Sequence, residues 1–278
     1  MGKLQANSSL VKSNKILIKK QNLGGGRIIS NSYDPDARNY ISAVQQADGQ
    51  LLEIQVKIAI NKFVVGCKSD GIWSAIKSSC ILAGARTLNG ALVSLNRLAP
   101  APTNFGFISS DYSRTIGLKG DGINKYLFTN RNNDADPQNS KHLSVYCTSS
   151  NTKNQSRNLI GTGAVTGGSF ISSNAPNNVF RINSSSTGIP STVPLLGLVG
   201  ASRSSPSSFS YRFNQNSGQI GDASTTPSND SIRVFTNPLV TSVADARISF
   251  YSIGESINLA LLESRIASLM SDLSSVIV

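Results

Sequence analysis

The chain has 278 residues, a formal net charge of +11 and only 15% charged side chains, with a single histidine and three glutamates. Catalysis that depends on imidazole or on several glutamates therefore has almost nothing to work with. No apolar run approaches the roughly 18 residues of a membrane helix, and the N-terminus lacks a signal-peptide apolar region. The expectation is a product made in a cytoplasm and not exported through a signal peptide, with no membrane insertion. Ser, Asn, Thr and Gly are abundant, as in β-sandwiches and surface proteins.

Residues 1–33 hold six basic side chains (Lys3, Lys12, Lys15, Lys19, Lys20 and Arg27) and no acid, plus the flexible break Gly24-Gly25-Gly26. This segment reads as a basic arm, with Lys12, Lys15, Lys19, Lys20 and Arg27 as candidate docking residues. An acidic protein surface is the favoured partner and a solvated tail the bland alternative. Nucleic acid ranks last, because no aromatics interleave with the charge.

Residues 34–98 read as a helical block. Asp34 suits an N-cap, Pro35 the first helical position and Asp36 the positive end of the helix dipole. Tyr40, Ile41 and Val44 form an apolar face, which Asp48-Gly49 interrupts. From Gln50 to Val65 neither Gly nor Pro occurs, and Leu52, Val56, Ile60, Phe63 and Val64 keep helical spacing. The same stretch also alternates, so a strand is the competing reading. A short turn around Ile72-Trp73-Ser74-Ala75-Ile76 follows, and Asn89-Gly90 between two apolar runs signals a β-turn.

From about residue 99 to 254, short β-type segments such as "KHLSVYCTS", "NVFRINSS", "SFSYRFNQN" and "ARISFYSIG" are separated by Gly, Asn, Ser and Pro every 8–15 residues. That pattern predicts an antiparallel jelly-roll β-sandwich rather than βαβ units. Cys67, Cys80 and Cys147 are an odd number without metal spacing and read as buried free thiols. His142 reads as a sheet residue.

Residues 255–278 predict a C-terminal helix. Leu259, Leu262, Ile266, Leu269, Leu273 and Val276 repeat at 3-4-3-4-3, a seam of about two and a half heptads. It reads either as a self-association seam, a trimer being favoured, or as a stripe covering the sandwich or the first helical block.

The stretch "DYSRTIGLKGDGINKYLFTNRNNDADPQNSKHLSVYCTS" (Asp111 to Ser149) resembles a recurring segment of structural proteins of tailed bacteriophages, including cyanophages. The blocks "FVVGCKSDGIWSAIKSSCILAGARTL" and "ARISFYSIGESINLALLESRIASLM" are similar to regions flanking it in those proteins, so the resemblance spans about residues 34–275. It implies a concanavalin A-like or laminin G-like sandwich and a virion protein of tail-fibre type, whose loops bind carbohydrate or protein. The helical block behind the basic arm reads as the part that docks on other virion proteins, with a cap on the sandwich's apolar face as the alternative.

The residues add a negative to that expectation. Sandwich glucanases use paired carboxylates, whereas Glu53, Glu255 and Glu263 all lie in the flanking helical segments. No catalytic residues and no enzyme activity are expected. The polar loop "NRNNDADPQN" gathers Asn132, Asn133, Asp134, Asp136 and Asn139. Its oxygens suit calcium or a sugar, with a turn-rich connector as the bland alternative. An aromatic platform for a glycan would come from Tyr112, Tyr126, Phe128, Tyr146 or Tyr211. The ligand-binding candidates are therefore Asn132, Asn133, Asp134, Asp136 and Tyr112, with no cofactor beyond that calcium. The leading function is a tail fibre or adhesin, ahead of a capsid decoration protein or head fibre. A polysaccharide hydrolase and a ligand-free scaffold rank lower.

Overall fold

The computed structural model describes residues 33–152, 156–164, 166–174, 177–185, 188–190 and 194–277. The candidate docking residues Lys12, Lys15, Lys19, Lys20 and Arg27 lie outside the described residues. Asp34–Val278 forms one compact unit.

The chain opens with helix α1 (Pro35–Asp48), where the Asp34 carboxylate accepts the Asp36 amide at 2.9 Å. Gly49, at φ 66°, ends it in the left-handed conformation that glycine adopts without a Cβ penalty. Helix α2 (Ile54–Ser69) follows, so the helical reading of that stretch holds and the strand alternative does not. Lys68 in the last turn of α2 pairs with Asp34 at 2.7 Å and Asp36 at 2.6 Å, fixing the end of one helix against the start of the other.

Strand β1 (Ile76–Ile81) comes next, then the short helix α3 (Leu88–Ala91). Asn89-Gly90 is thus inside a helical turn, not the predicted β-turn. The cause is long-range: buried Asp48 accepts the Arg86 and Thr87 amides at 2.8 Å each, and the Thr87 hydroxyl caps α3.

The remaining strands are β2 (Thr103–Phe105), β3 (Tyr112–Ser113), β4 (Gly117–Lys119), β5 (Tyr126–Asn132), β6 (Lys141–Ser149), β7 (Arg157–Gly161), β8 (Gly168–Asn174) and β9 (Asn177–Ser184). After them come β10 (Gly188–Pro190), β11 (Gly197–Arg203), β12 (Ser208–Phe213), β13 (Asn216–Gly221), β14 (Ser231–Val234) and β15 (Arg247–Gly254); helix α4 (Leu259–Val276) ends the chain. Sheet A runs β13-β12-β11-β6-β15-β4-β3, with β1 also pairing β15; sheet B runs β10-β9-β8-β7-β14-β5-β2. The named pairings are antiparallel, and the fold is mainly β as the sequence predicts.

The two sheets close on a core that includes Leu143, Val145, Val199 and Tyr251 from sheet A and Leu127, Ile171, Phe180 and Ile232 from sheet B. Because β1 lies in sheet A beside β15, the expected boundary between a helical block and a sandwich at residues 98/99 is not where the layers divide. Helices α2 and α4 instead form a third layer on the outer face of sheet A. Phe63 of α2 meets Phe250 of β15 edge-on at 5.7 Å, and Leu259 of α4 lies over Gly200 of β11.

This layer gives the apolar stripe of α4 a partner within one chain. Leu259, Leu262, Ile266, Leu269 and Leu273 are buried against α2 and sheet A within the chain, and Val276 is half-buried. Burial of each such side chain is worth about 1.5–3 kcal/mol, so the stripe is already satisfied. Arg265 clamps the layer through a paired contact to Asp70 at 2.6 and 2.7 Å.

Candidate functional site

The polar loop does not form the expected calcium or sugar cradle. Asn133 is fully buried and donates to the Gly167 carbonyl at 2.8 Å and to Asn183 Oδ1 at 3.0 Å, while Asn132 is exposed and bonds Asn229. Buried Asp136 is neutralised by Arg131 at 2.5 Å and by Lys141 Nζ at 3.4 Å, so two cations already occupy the place a metal would take. Asp134 is exposed. No cluster of three His, Cys, Asp or Glu suited to a metal occurs among the described residues. The turn-rich connector is the reading the structure supports.

Tyr112 is also corrected. It stands on β3 at the edge of sheet A, away from the loop's strand in sheet B, and its hydroxyl donates to the Ala85 carbonyl at 2.8 Å. Burial pushes its pKa up. Its ring packs on the core rather than forming a platform.

His142 is a fully buried sheet residue, as expected. Its Nδ1 lies 2.5 Å from the Glu255 carbonyl and its Nε2 2.7 Å from Ser252 Oγ. A carbonyl only accepts, so Nδ1 carries the proton and Nε2 accepts from the hydroxyl, which satisfies the neutral ring. Burial lowers its pKa to about 4. All three cysteines are buried and free, with burial raising each thiol to about 12.

The site that does form is a groove of about 610 Å3 between helix α4 and the β11–β12 side of sheet A. Tyr146 of β6, Arg212 of β12 and Glu263 of α4 line it, together with Leu196, Asn214 and Gln215. Local sequence explains its wall. Asn214 (φ 48°) and Gln215 (φ 64°) are the two loop residues between the paired Phe213 and Asn216, the left-handed pair that a tight hairpin needs and that Asn tolerates well. The Asn214 amide then donates to the Pro194 carbonyl at 2.6 Å and accepts the Leu196 amide at 2.8 Å, pinning the strand leading into β11.

Across the groove, Arg212 Nε donates to Glu263, and Arg212 Nη1 donates to Ser217 Oγ at 2.6 Å. Burial and the Glu263 carboxylate both raise the pKa of Tyr146, so its hydroxyl stays protonated. A half-buried aromatic face beside a paired cation and carboxylate can stack on an apolar ring face while exchanging hydrogen bonds with hydroxyls. Tyr146 was legible as a platform candidate, but Arg212 and Glu263 were not, since 51 residues and two different elements separate them.

No family model matches this chain, and no curated protein does. Solved structures of similar fold exist. A structure of botulinum neurotoxin type C, which depends on two ganglioside molecules to enter cells, is 11% identical at a TM-score of 0.50, covering 72% of this chain and 53% of that one. The botulinum neurotoxin serotype D binding domain is 10% identical at 0.49, covering 70% and 51%. The enzymatically active domain of tailspike protein 2 from bacteriophage CBA120 is 10% identical at 0.37, covering 58% and 29%. This chain thus spans about half the length of the neurotoxin chains and less of the tailspike. At such identity the likeness to the type C structure shows the fold: a two-sheet antiparallel sandwich.

Proposed function

We propose that the chain is a non-enzymatic recognition protein of a phage particle, a tail fibre or adhesin whose sandwich contacts a host-surface glycan in the α4 groove. The observation that carries this reading is the convergence of Tyr146, Arg212 and Glu263 in one groove. The aromatic face and the charged pair suit a sugar, which offers one apolar face and a rim of hydroxyls. Support also comes from the phage-like segment Asp111 to Ser149, and from the use of a similar sandwich in a neurotoxin that engages gangliosides. Turnover is not part of the proposal: glycosidases need two carboxyl groups flanking the bond, and Glu263, bound to Arg212, is the carboxylate among the groove's described lining residues. Docking on the particle is assigned to the residues N-terminal to α1.

The test is binding of the full chain to an array of bacterial surface glycans, compared with Tyr146→Ala. Loss of the strongest signals by about tenfold at unchanged thermal stability is the expected result. Equal binding by the variant rules out the groove. Electron microscopy of labelled particles separates the tail role from a head-decoration role by where the label falls.

A further inference from the structure

Sheet A is covered by helices on its outer side, whereas sheet B carries no such layer among the described residues. Cross-strand pairing sets five residues in one row across sheet B. Phe128 of β5 opposes Arg233 of β14, Arg233 opposes Gly161 of β7, Gly161 opposes Phe170 of β8, and Phe170 opposes Arg181 of β9. The residues on either side of Phe128, Arg233, Phe170 and Arg181 are all fully buried, so these four side chains point away from the core.

The row alternates aromatic and cation. The Arg233 guanidinium lies 4.9 Å from the Tyr126 ring centroid and 5.5 Å from that of Phe128; the Arg181 guanidinium lies 4.6 Å from Phe170. Such contacts hold a guanidinium on the sheet surface while leaving its charge available to a ligand. Arg233 Nε is buried and has no hydrogen-bond partner. Burial lowers the pKa of Arg181, and the Asp222 carboxylate offsets part of that. Between Arg233 and Arg181 stands Gly161, whose close approach to β8 excludes a side chain: at φ 149° a Cβ there would meet Phe170 Cβ at 2.2 Å. Phe170 and Arg181 also border a depression of about 270 Å3 lined by hydroxyl and amide side chains, including Asn237, whose Oδ1 is buried without a partner.

We infer that this face binds an acidic polysaccharide, a glycan chain bearing carboxylates, laid across the strands of sheet B. Carboxylates pair with the guanidinium groups, and ring faces rest on the flanking aromatics. Three strand spacings separate β14 from β9, which sets the anchors roughly 14 Å apart. Duplex DNA carries a negative charge about every 1.7 Å and calls for a denser cationic surface, whereas a polymer with carboxylates on sugar rings matches sparse anchors beside hydroxyl-lined space. The site shares no residue with the α4 groove and stands or falls separately.

The experiment is binding of the full chain to immobilised polygalacturonate at physiological salt. Arg233→Gln and Arg181→Gln each weaken binding about tenfold, whereas Tyr146→Ala leaves it unchanged. Thr103→Glu, at the exposed end of the same row opposite Phe128, adds a repelling charge without disturbing the core and also weakens binding. Fully methyl-esterified polymer binds at least tenfold less tightly. No binding by the wild type, unchanged binding by all three row variants, or equal binding of the ester overturns the proposal. Tighter binding of single-stranded DNA than of polygalacturonate, lost on Arg233→Gln, overturns it in favour of nucleic acid.

Discussion

Arg212 of β12 and Glu263 of α4 are bonded to each other across the groove, and this contact ties the helical layer to the β11–β12 side of sheet A. Replacing Glu263 by Gln keeps a hydrogen-bond acceptor but removes the charge. Glycan binding should fall about tenfold while folding changes little. Arg212→Ala, which leaves a largely buried carboxylate unpaired, should lower stability by about 2 kcal/mol. Denaturant titration with parallel array binding checks both outcomes.

Asp136 is the counter-ion of buried Lys141, whose pKa burial lowers to about 8 despite that carboxylate. Asp136→Asn removes the compensation for a buried ammonium and should cost about 3 kcal/mol or more. Because Arg131 and Lys141 already fill the carboxylate's coordination, added calcium or a chelator should leave the melting temperature unchanged. A rise with calcium would revive the metal reading of the loop.

His142 gives the fold an acid-side dependence. Its folded pKa, about 4, lies below the ordinary unfolded value of about 6.5, so the unfolded state binds the proton first. The contribution from this residue is therefore complete above about pH 6.5 and is lost as pH falls toward 4, by about 3 kcal/mol in total. His142→Asn should be less stable at pH 7 yet show a shallower fall between pH 6.5 and 4. Parallel slopes for the two proteins in urea titrations would contradict the assignment.

The α4 stripe predicts a cost within a single chain. Leu262→Ala opens a cavity between α2, α4 and sheet A and should destabilise by about 2–5 kcal/mol. Sedimentation should give the same mass as the wild type, because the stripe is buried inside one subunit. A fall in mass on this substitution would show that the seam joins copies of the chain.

Much of the architecture is written locally. The Asp34-Pro35 start of α1, its stop at Gly49, the strand segments that became β6, β7, β9, β12, β14 and β15, and the terminal helix all follow from caps, turn residues and hydrophobic period. The buried state of the three cysteines and the place of His142 in a strand were also legible. Strand β13 was not. Its "NSGQIG" has little apolar content, and it becomes a strand by pairing with β12, with Gly218 making room for the Tyr211 ring.

What only the tertiary structure decided is which group each side chain meets. The heptad of α4 defines an apolar stripe but not its partner, which proved to be α2 and sheet A. The amides and carboxylates of "NRNNDADPQN" look like a ligand loop until Arg131, Lys141, Asn183 and Gly167 close on Asp136 and Asn133. The Tyr146–Arg212–Glu263 groove and the row from Phe128 to Arg181 join residues from separate elements. Sequence period fixes the face on which a residue sits, because that is set by the backbone repeat, whereas sheet order and register depend on contacts between distant segments that no local pattern encodes.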